Sequence, residues 1–129
     1  MTVGIVVVSH SRALADAAVA LAAEMLHGRE APIEVAAGLD DGAFGTDAVA
    51  IQDAIGRADR GDGVVVLCDL GSAILTVRHV LERSSNGHVV LADAPLVEGA
   101  VTAAVVSSAG SSLQDVTRAA EEARGASKL

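Results

Sequence analysis

The sequence predicts an α/β domain in which a doubly wound, mainly parallel sheet carries helices on both faces. Two observations predict this class. Four short apolar runs alternate with stretches whose apolar residues recur every three or four positions. The runs are continuously apolar, which is typical of parallel strands buried on both faces. Strands that alternate with helices are joined by right-handed crossovers, so the helices cover both sides of the sheet.

The apolar runs define the strands in chain order. They span residues 3–9, 33–37, 63–68 and 88–92. We expect the flavodoxin-like strand order 2-1-3-4, in which strands one and three are neighbours whose connections leave in opposite directions. Ligands of such folds bind beyond the carboxyl ends of these two strands.

Three helices are predicted between the strands, each with one apolar stripe. The stripes consist of Leu14, Ala18, Leu21 and Met25, of Ala48, Ile51, Ile55 and Ala58, and of Ile74, Val77 and Leu81. His27 is expected in the last turn of the first helix, and Gly28 ends it.

Two further helices are predicted after the fourth strand, which Pro95 ends. One spans residues 97–107. The other begins at Ser112, whose spacing from Asp115 resembles a capping box, and runs to about residue 124. We expect residues 125–129 to be frayed.

Composition restricts the class of protein. The 129 residues, 51% of them hydrophobic, suit one domain spanning residues 1–129. A net charge of −8, with Phe44 as the only aromatic residue, argues against nucleic-acid partners and favours a basic protein surface. Cys68 is the only cysteine, and no segment reads as a leader or a membrane span, so we expect a cytoplasmic protein without a membrane partner.

One histidine lies where a ligand of this fold would bind. His10 ends strand one and Asp69 follows strand three. Neighbouring strands are about 4.8 Å apart, so these two side chains can share a hydrogen bond. A carboxylate that accepts from Nδ1–H leaves the lone pair on Nε2 and makes that atom nucleophilic. We therefore predict that His10 and Asp69 form a catalytic pair able to attack phosphorus.

Phosphate-binding groups are expected around His10, because helix amino ends offer unpaired N–H groups to anions. The candidates are Ser9, Ser11 and Arg12 at helix one, Thr46 at helix two, and Gly71 and Ser72 at helix three. Each has an ordinary alternative: His10 as a loop residue, and the serines, Thr46 or Asp69 as helix caps.

The remaining residue patterns favour no other chemistry. His27, His79 and His88 lack metal-ligand spacing, and Cys68 is expected to be buried and inert. No phosphate-binding loop for a nucleotide is present. We expect no metal and no cofactor, and we leave the role of Asp40 and Asp41 open.

Five motifs resemble the phosphotransfer subunit of the phosphoenolpyruvate-dependent dihydroxyacetone kinase, which is related to the mannose-type enzyme IIA domains of the sugar phosphotransferase system. The motifs are IVVVSHS at 5–11, AAGLDD at 36–41, GTDA at 45–48, DLGSA at 69–73 and APLVEG at 94–99. Mannose-type relatives have a Gly-Gly-rich segment with proline after strand three, so the fourth motif favours the dihydroxyacetone branch.

The resemblance implies a function for the predicted site. His10 would take a phosphoryl group on Nε2 from the histidine-containing phosphocarrier protein and pass it to ADP held on the nucleotide-binding subunit of the kinase. Members of this family form homodimers. Some carry further phosphotransfer domains after this one, so we expect a separate phosphocarrier here. Two alternatives stay open: a regulatory module without onward transfer, and a mannose-type sugar phosphotransferase component.

Overall fold

The computed structural model describes residues 2–84 and 87–129. The elements in chain order are β1 (Gly4–Ser9), α1 (Arg12–Glu24), β2 (Ile33–Ala37), α2 (Ala48–Ala58), β3 (Val64–Cys68), α3 (Gly71–Glu82), β4 (Val89–Leu91), α4 (Leu96–Ser108) and α5 (Leu113–Glu122), followed by a 3-10 turn at Ala123–Gly125. The strands form one parallel sheet in the order β2-β1-β3-β4, so the predicted class and strand order are confirmed.

Alternate residues of the two central strands build two cores. Val7 and Leu67 face α1, α4 and α5, whereas Val8 and Val66 face α2 and α3. Both β1 and β3 are buried throughout, as predicted. The prediction of burial on both faces is wrong for β2 and β4, which are largely half-buried because each has a neighbouring strand on one side only.

The predicted apolar stripe of α1 is wrong except at Ala18. Ala15, Ala18 and Ala22 are buried, while Leu14, Leu21 and Met25 are exposed. Both sets recur with the period of a helix. The small side chains of the alanines allow α1 to pack closely against α4 and the sheet. In α2 and α3 the predicted stripes do contribute buried residues, namely Ile51, Ala58 and Val77.

The large side chains left outside on α1 adjoin others on α4. Leu21 lines an open groove together with Val97 and Val101. We name this surface the α1/α4 face; it consists of Leu14, Leu21, Val97, Val101 and Val105.

Three predicted element ends also need correction. Helix α1 ends at Glu24, so His27 lies outside it, in a turn with a φ of 50°. Only half of the predicted capping box forms: the Asp115 N–H donates to Ser112 Oγ, while the Asp115 carboxylate accepts from an arginine. Lys128 Nζ lies 2.7 Å from Glu98, so that tail side chain is tied to α4. No helix of the described ranges is long and apolar enough to cross a bilayer.

Candidate functional site

Parallel pairing of β1 with β3 brings His10 and Asp69 together. Val8 pairs with Cys68, and the Asp69 N–H donates to the Val8 carbonyl at 3.1 Å. The chain therefore leaves both strands at the same level of the sheet. His10 Nδ1 lies 3.0 Å from Asp69 Oδ1, which is the predicted hydrogen bond.

The Asp69 carboxylate accepts four hydrogen bonds. Its Oδ2 accepts from the His10 N–H and the Ser9 hydroxyl, each at 2.9 Å, and its Oδ1 accepts from the His10 ring and from the Leu70 N–H at 2.7 Å. Burial by itself raises the pKa of this carboxyl, but the hydrogen bonds outweigh burial and hold the pKa below its ordinary value. The carboxylate is therefore ionised and acts only as an acceptor.

This charge state fixes the form of the imidazole. An ionised carboxylate has no proton to give, so Nδ1 of His10 carries a hydrogen, and in the neutral ring the lone pair is on Nε2. Ser72 Oγ lies 2.5 Å from Nε2, so its hydroxyl donates to that lone pair. The His10 side chain keeps 22% of its surface exposed, against 9% for Asp69. The ring is thus partly exposed to solvent while Asp69 holds its Nδ1 atom.

Two threonines tie Ser72 to the loop before α2. The Thr76 hydroxyl donates to the Ser72 carbonyl at 3.1 Å. Since a hydroxyl has one proton, the 3.1 Å contact between Thr46 and Thr76 has Thr46 as the donor. The predicted capping role of Thr46 is wrong, because Asp47 caps α2 by accepting from the Val49 N–H.

Helix α3 begins beside the ring without a side-chain cap. Its N-cap residue is Leu70, which has no side-chain oxygen, whereas α1, α2 and α5 are capped by Ser11, Asp47 and Ser112. Among the described residues, no acceptor binds the N–H groups of Gly71 and Ser72. These groups and the helix dipole are available to an anion held at Nε2.

The other predicted phosphate-binding side chains are engaged elsewhere. The buried Ser9 hydroxyl donates to Asp69 and accepts from the Ser11 N–H, so it orients the carboxylate. Ser11 Oγ caps α1 through the Leu14 N–H. Arg12 is paired at 3.8 Å with Asp16. Of the six predicted positions, Ser72 contacts Nε2 of His10, and Gly71 precedes it at the start of α3.

Sequence reasoning missed Thr76 and the Leu70 N–H. Thr76 lies one turn beyond Ser72, where a threonine hydroxyl readily bonds the carbonyl four residues back. That spacing is visible in the sequence. Leu70 contributes its backbone alone, so its side chain carries no signal.

Neighbouring groups offer no second chemistry. Burial, together with the charge of Asp69, raises the pKa of the Cys68 thiol to about 12, so this thiol is protonated and inert. Within residues 2–84 and 87–129, no three His, Cys, Asp or Glu residues are grouped so as to hold a metal ion.

The lowered pKa of Asp69 predicts how stability depends on pH. A carboxylate whose pKa is lower in the folded state stabilises the fold above its unfolded pKa of about 3.9, and this contribution is lost as the pH falls through the folded value. We expect Asp69→Asn to lower the free energy of unfolding at pH 7 by about 1–3 kcal/mol. The difference from the native protein should shrink below about pH 4. Urea unfolding between pH 7 and pH 2 measures it.

Asp53→Asn, at an exposed position of α2, is the matched control. This variant should have nearly the same dependence of the free energy of unfolding on pH as the native protein. A difference between Asp69→Asn and the native protein that stays constant down to pH 2 would contradict the assigned role of the four hydrogen bonds.

Comparison with known proteins identifies the family. Residues 4–117 match the family model described as "PTS system fructose IIA component". The chain also matches a crystal structure of a protein whose function is described as unknown, with a TM-score of 0.87 and 31% identity, covering 100% of this chain and 99% of that one.

Two groups of relatives differ in length. The phosphoryl donor subunit DhaM of PEP-dependent dihydroxyacetone kinase 2 from Listeria innocua is 38% identical over 108 residues, covering 81% of this chain and 86% of the relative. The corresponding subunit from Escherichia coli K12 is 39% identical over 119 residues, covering 88% of this chain but 25% of the relative. The chain thus spans about a quarter of the length of that longer subunit. These matches show that the chain belongs to the fructose IIA component family of the phosphotransferase system and, within it, to the DhaM phosphotransfer subunits.

Proposed function

We propose that this chain is a phosphohistidine carrier of a dihydroxyacetone kinase. His10 Nε2 accepts a phosphoryl group from the histidine-containing phosphocarrier protein and passes it to ADP on the nucleotide-binding subunit of the kinase. The observation that carries the proposal is the 3.0 Å contact between Nδ1 of His10 and the Asp69 carboxylate, which in the neutral ring leaves the lone pair on Nε2. The relatives' description as phosphoryl donor subunits supports the direction of transfer.

The proposed step balances charge at the site. The Nε2 lone pair attacks phosphorus, the P–N bond to the donor histidine breaks, and the donor ring keeps that electron pair. Because Nδ1 of His10 retains its proton, the His10 ring becomes positive as the new P–N bond forms. The ionised Asp69 stabilises this positive charge. Onward transfer to a terminal oxygen of ADP returns the ring to its neutral form.

Ser72 is proposed to change its hydrogen bond during the step. Its hydroxyl donates to Nε2 before reaction and must release that lone pair for attack. Rotation about the side-chain torsions lets it donate to a phosphoryl oxygen instead. The free N–H groups of Gly71 and Ser72 bind the remaining charge, so α3 holds the group that His10 carries.

Labelling tests the assignment of His10. Incubation with labelled phosphoenolpyruvate, enzyme I and the phosphocarrier should give one acid-labile phosphate per chain, and His10→Ala should abolish it, because no other ring is placed like His10. His79→Ala is the control and should keep the label. Adding the nucleotide-binding subunit with ADP should remove the label and form ATP.

Two results would count against this function. Label retained in His10→Ala refutes the nucleophile. Label that stays on the native protein when the ADP-loaded subunit is added favours a regulatory module without onward transfer.

Replacement of Ser72 tests the proposed phosphoryl contacts. We expect Ser72→Ala to slow phosphorylation of His10 by about ten- to a hundredfold, since a hydrogen bond to a charged group contributes about 1.5–3 kcal/mol. Rapid-quench measurement of the single-turnover rate checks this. Ser11→Ala is the control: it removes the cap of α1 at a cost of about 1 kcal/mol in stability but should leave the rate nearly unchanged. Equal rates for Ser72→Ala and the native protein would remove Ser72 from the mechanism.

We also propose that the chain forms a homodimer through the α1/α4 face. The face includes the groove at Leu21, Val97 and Val101, and Leu14, Leu21 and Val105 are each more than two-fifths exposed. Exposed apolar surfaces of this kind are typical of those covered in an assembly.

Replacement of Leu21 tests the homodimer, because a charge at the centre of a buried apolar interface is costly. Sedimentation velocity should find a dimer for the native protein and a monomer for Leu21→Lys. Gln52→Lys, at an exposed position of α2, should leave the dimer intact. A dimeric Leu21→Lys, or a monomeric native protein, would contradict the assignment.

A further inference from the structure

The only aromatic residue of the chain lies in solvent beside His10. Phe44 is 79% exposed. Its neighbour Gly45 donates from its N–H to the His10 carbonyl at 3.0 Å, which holds this loop against the reactive residue. Exposed aromatic side chains are enriched at protein interfaces and often dominate their binding energy. The position of Phe44 therefore indicates a contact with another protein.

Two exposed leucines extend this surface around the ring. Leu70 follows Asp69 and is 61% exposed, and Leu75 lies one turn beyond Ser72 on α3 and is 66% exposed. Neither contributes to the buried cores. We name Phe44, Leu70 and Leu75 the apolar collar.

Acidic residues lie at one side of the collar. Asp40, Asp41 and Asp47 line an open cavity of about 760 Å³, together with Arg12 and Thr46. Arg12 follows His10 by two residues, and Thr46 follows Phe44 by two, so this cavity borders the site. We name the three aspartates the acidic rim.

We propose that the apolar collar and the acidic rim form the docking surface for the phosphorylated phosphocarrier; this inference rests on the proposed function. A partner that carries a phosphoryl dianion is stabilised when N–H donors and cationic side chains lie around that group. Those positive groups face the acidic rim when the carrier's apolar contact residues cover the collar. A second copy of this chain would bring one acidic rim towards another and is disfavoured.

Docking would align the donor histidine of the phosphocarrier with the ring of His10, so that the phosphoryl group lies between them. The carrier's P–N bond breaks as the bond to Nε2 of His10 forms, and the covered collar keeps water away from phosphorus. The rim speeds the encounter by long-range attraction, and the collar supplies the affinity.

Kinetics with the phosphorylated phosphocarrier as donor test the collar. Phe44→Ala should raise the KM for this donor about tenfold, as expected when an interface anchor contributing about 1.4 kcal/mol is lost, while the maximal rate stays unchanged. Phe44→Leu should retain most of the affinity. Met25→Ala, which alters an exposed apolar side chain at the far end of α1, is the matched control and should leave the KM unchanged.

Salt dependence tests the rim. The double variant Asp40→Asn and Asp41→Asn should raise the KM at low ionic strength and flatten its dependence on salt, because screening acts only on the charges that remain. An unchanged salt dependence would overturn the role of the rim.

A small donor separates docking from chemistry. Phosphoramidate presents no protein surface, so it should label native protein and Phe44→Ala at equal rates. An unchanged carrier KM in Phe44→Ala, or loss of phosphoramidate labelling in that variant, would overturn the docking role of the collar. Labelling of native protein by phosphoramidate but not by the phosphocarrier would instead refute the proposed function.

Discussion

The site depends on one carboxylate that joins the ends of two strands. Asp69 accepts hydrogen bonds from the backbone and the ring of His10, from Ser9 and from Leu70, so it closes the gap where β1 and β3 part. The same contacts position the loop, keep the carboxylate charged and choose the tautomer of the ring. A neutral replacement would weaken all three effects together. Local stability and nucleophilicity are therefore coupled at this residue.

The start of α3 shows the opposite arrangement, because no side chain caps it. A serine or aspartate at position 70 would cap the helix, as Ser11, Asp47 and Ser112 do elsewhere. Leucine leaves the first N–H groups unpaired next to Nε2. An anion bound there satisfies them. Under the proposed function, the cost of an uncapped helix, about 1 kcal/mol, would be offset when a phosphoryl group binds.

The sequence predicted the fold and the contact between His10 and Asp69 but not the hydrogen-bond partners of the hydroxyl groups. Continuous apolar runs specify buried strands, and parallel strands bring His10 and Asp69 to one edge whatever their rotamers. A hydroxyl has several partners within reach, and its choice depends on torsions that no spacing encodes, as with Ser9 and Thr46. The prediction of the buried face of α1 was wrong for another reason. Alanines and leucines share the same period there, and only the separation between α1 and its neighbours decides which set faces inward.

Under the proposed function, the exposure of His10 would balance two opposing demands of group transfer between proteins. A ring buried as deeply as Asp69 would be out of reach of a partner's ring, whereas a fully exposed ring would lose its orientation and leave the phosphoryl group open to water. The His10 side chain is 22% exposed. Its Nδ1 atom is hydrogen-bonded to Asp69, so Nε2 is the ring nitrogen left for a partner. Protection from water must then come from the partner during contact. The proposed docking surface would meet this requirement, because its large apolar side chains are exposed in the free chain and would exclude water only while two proteins are docked.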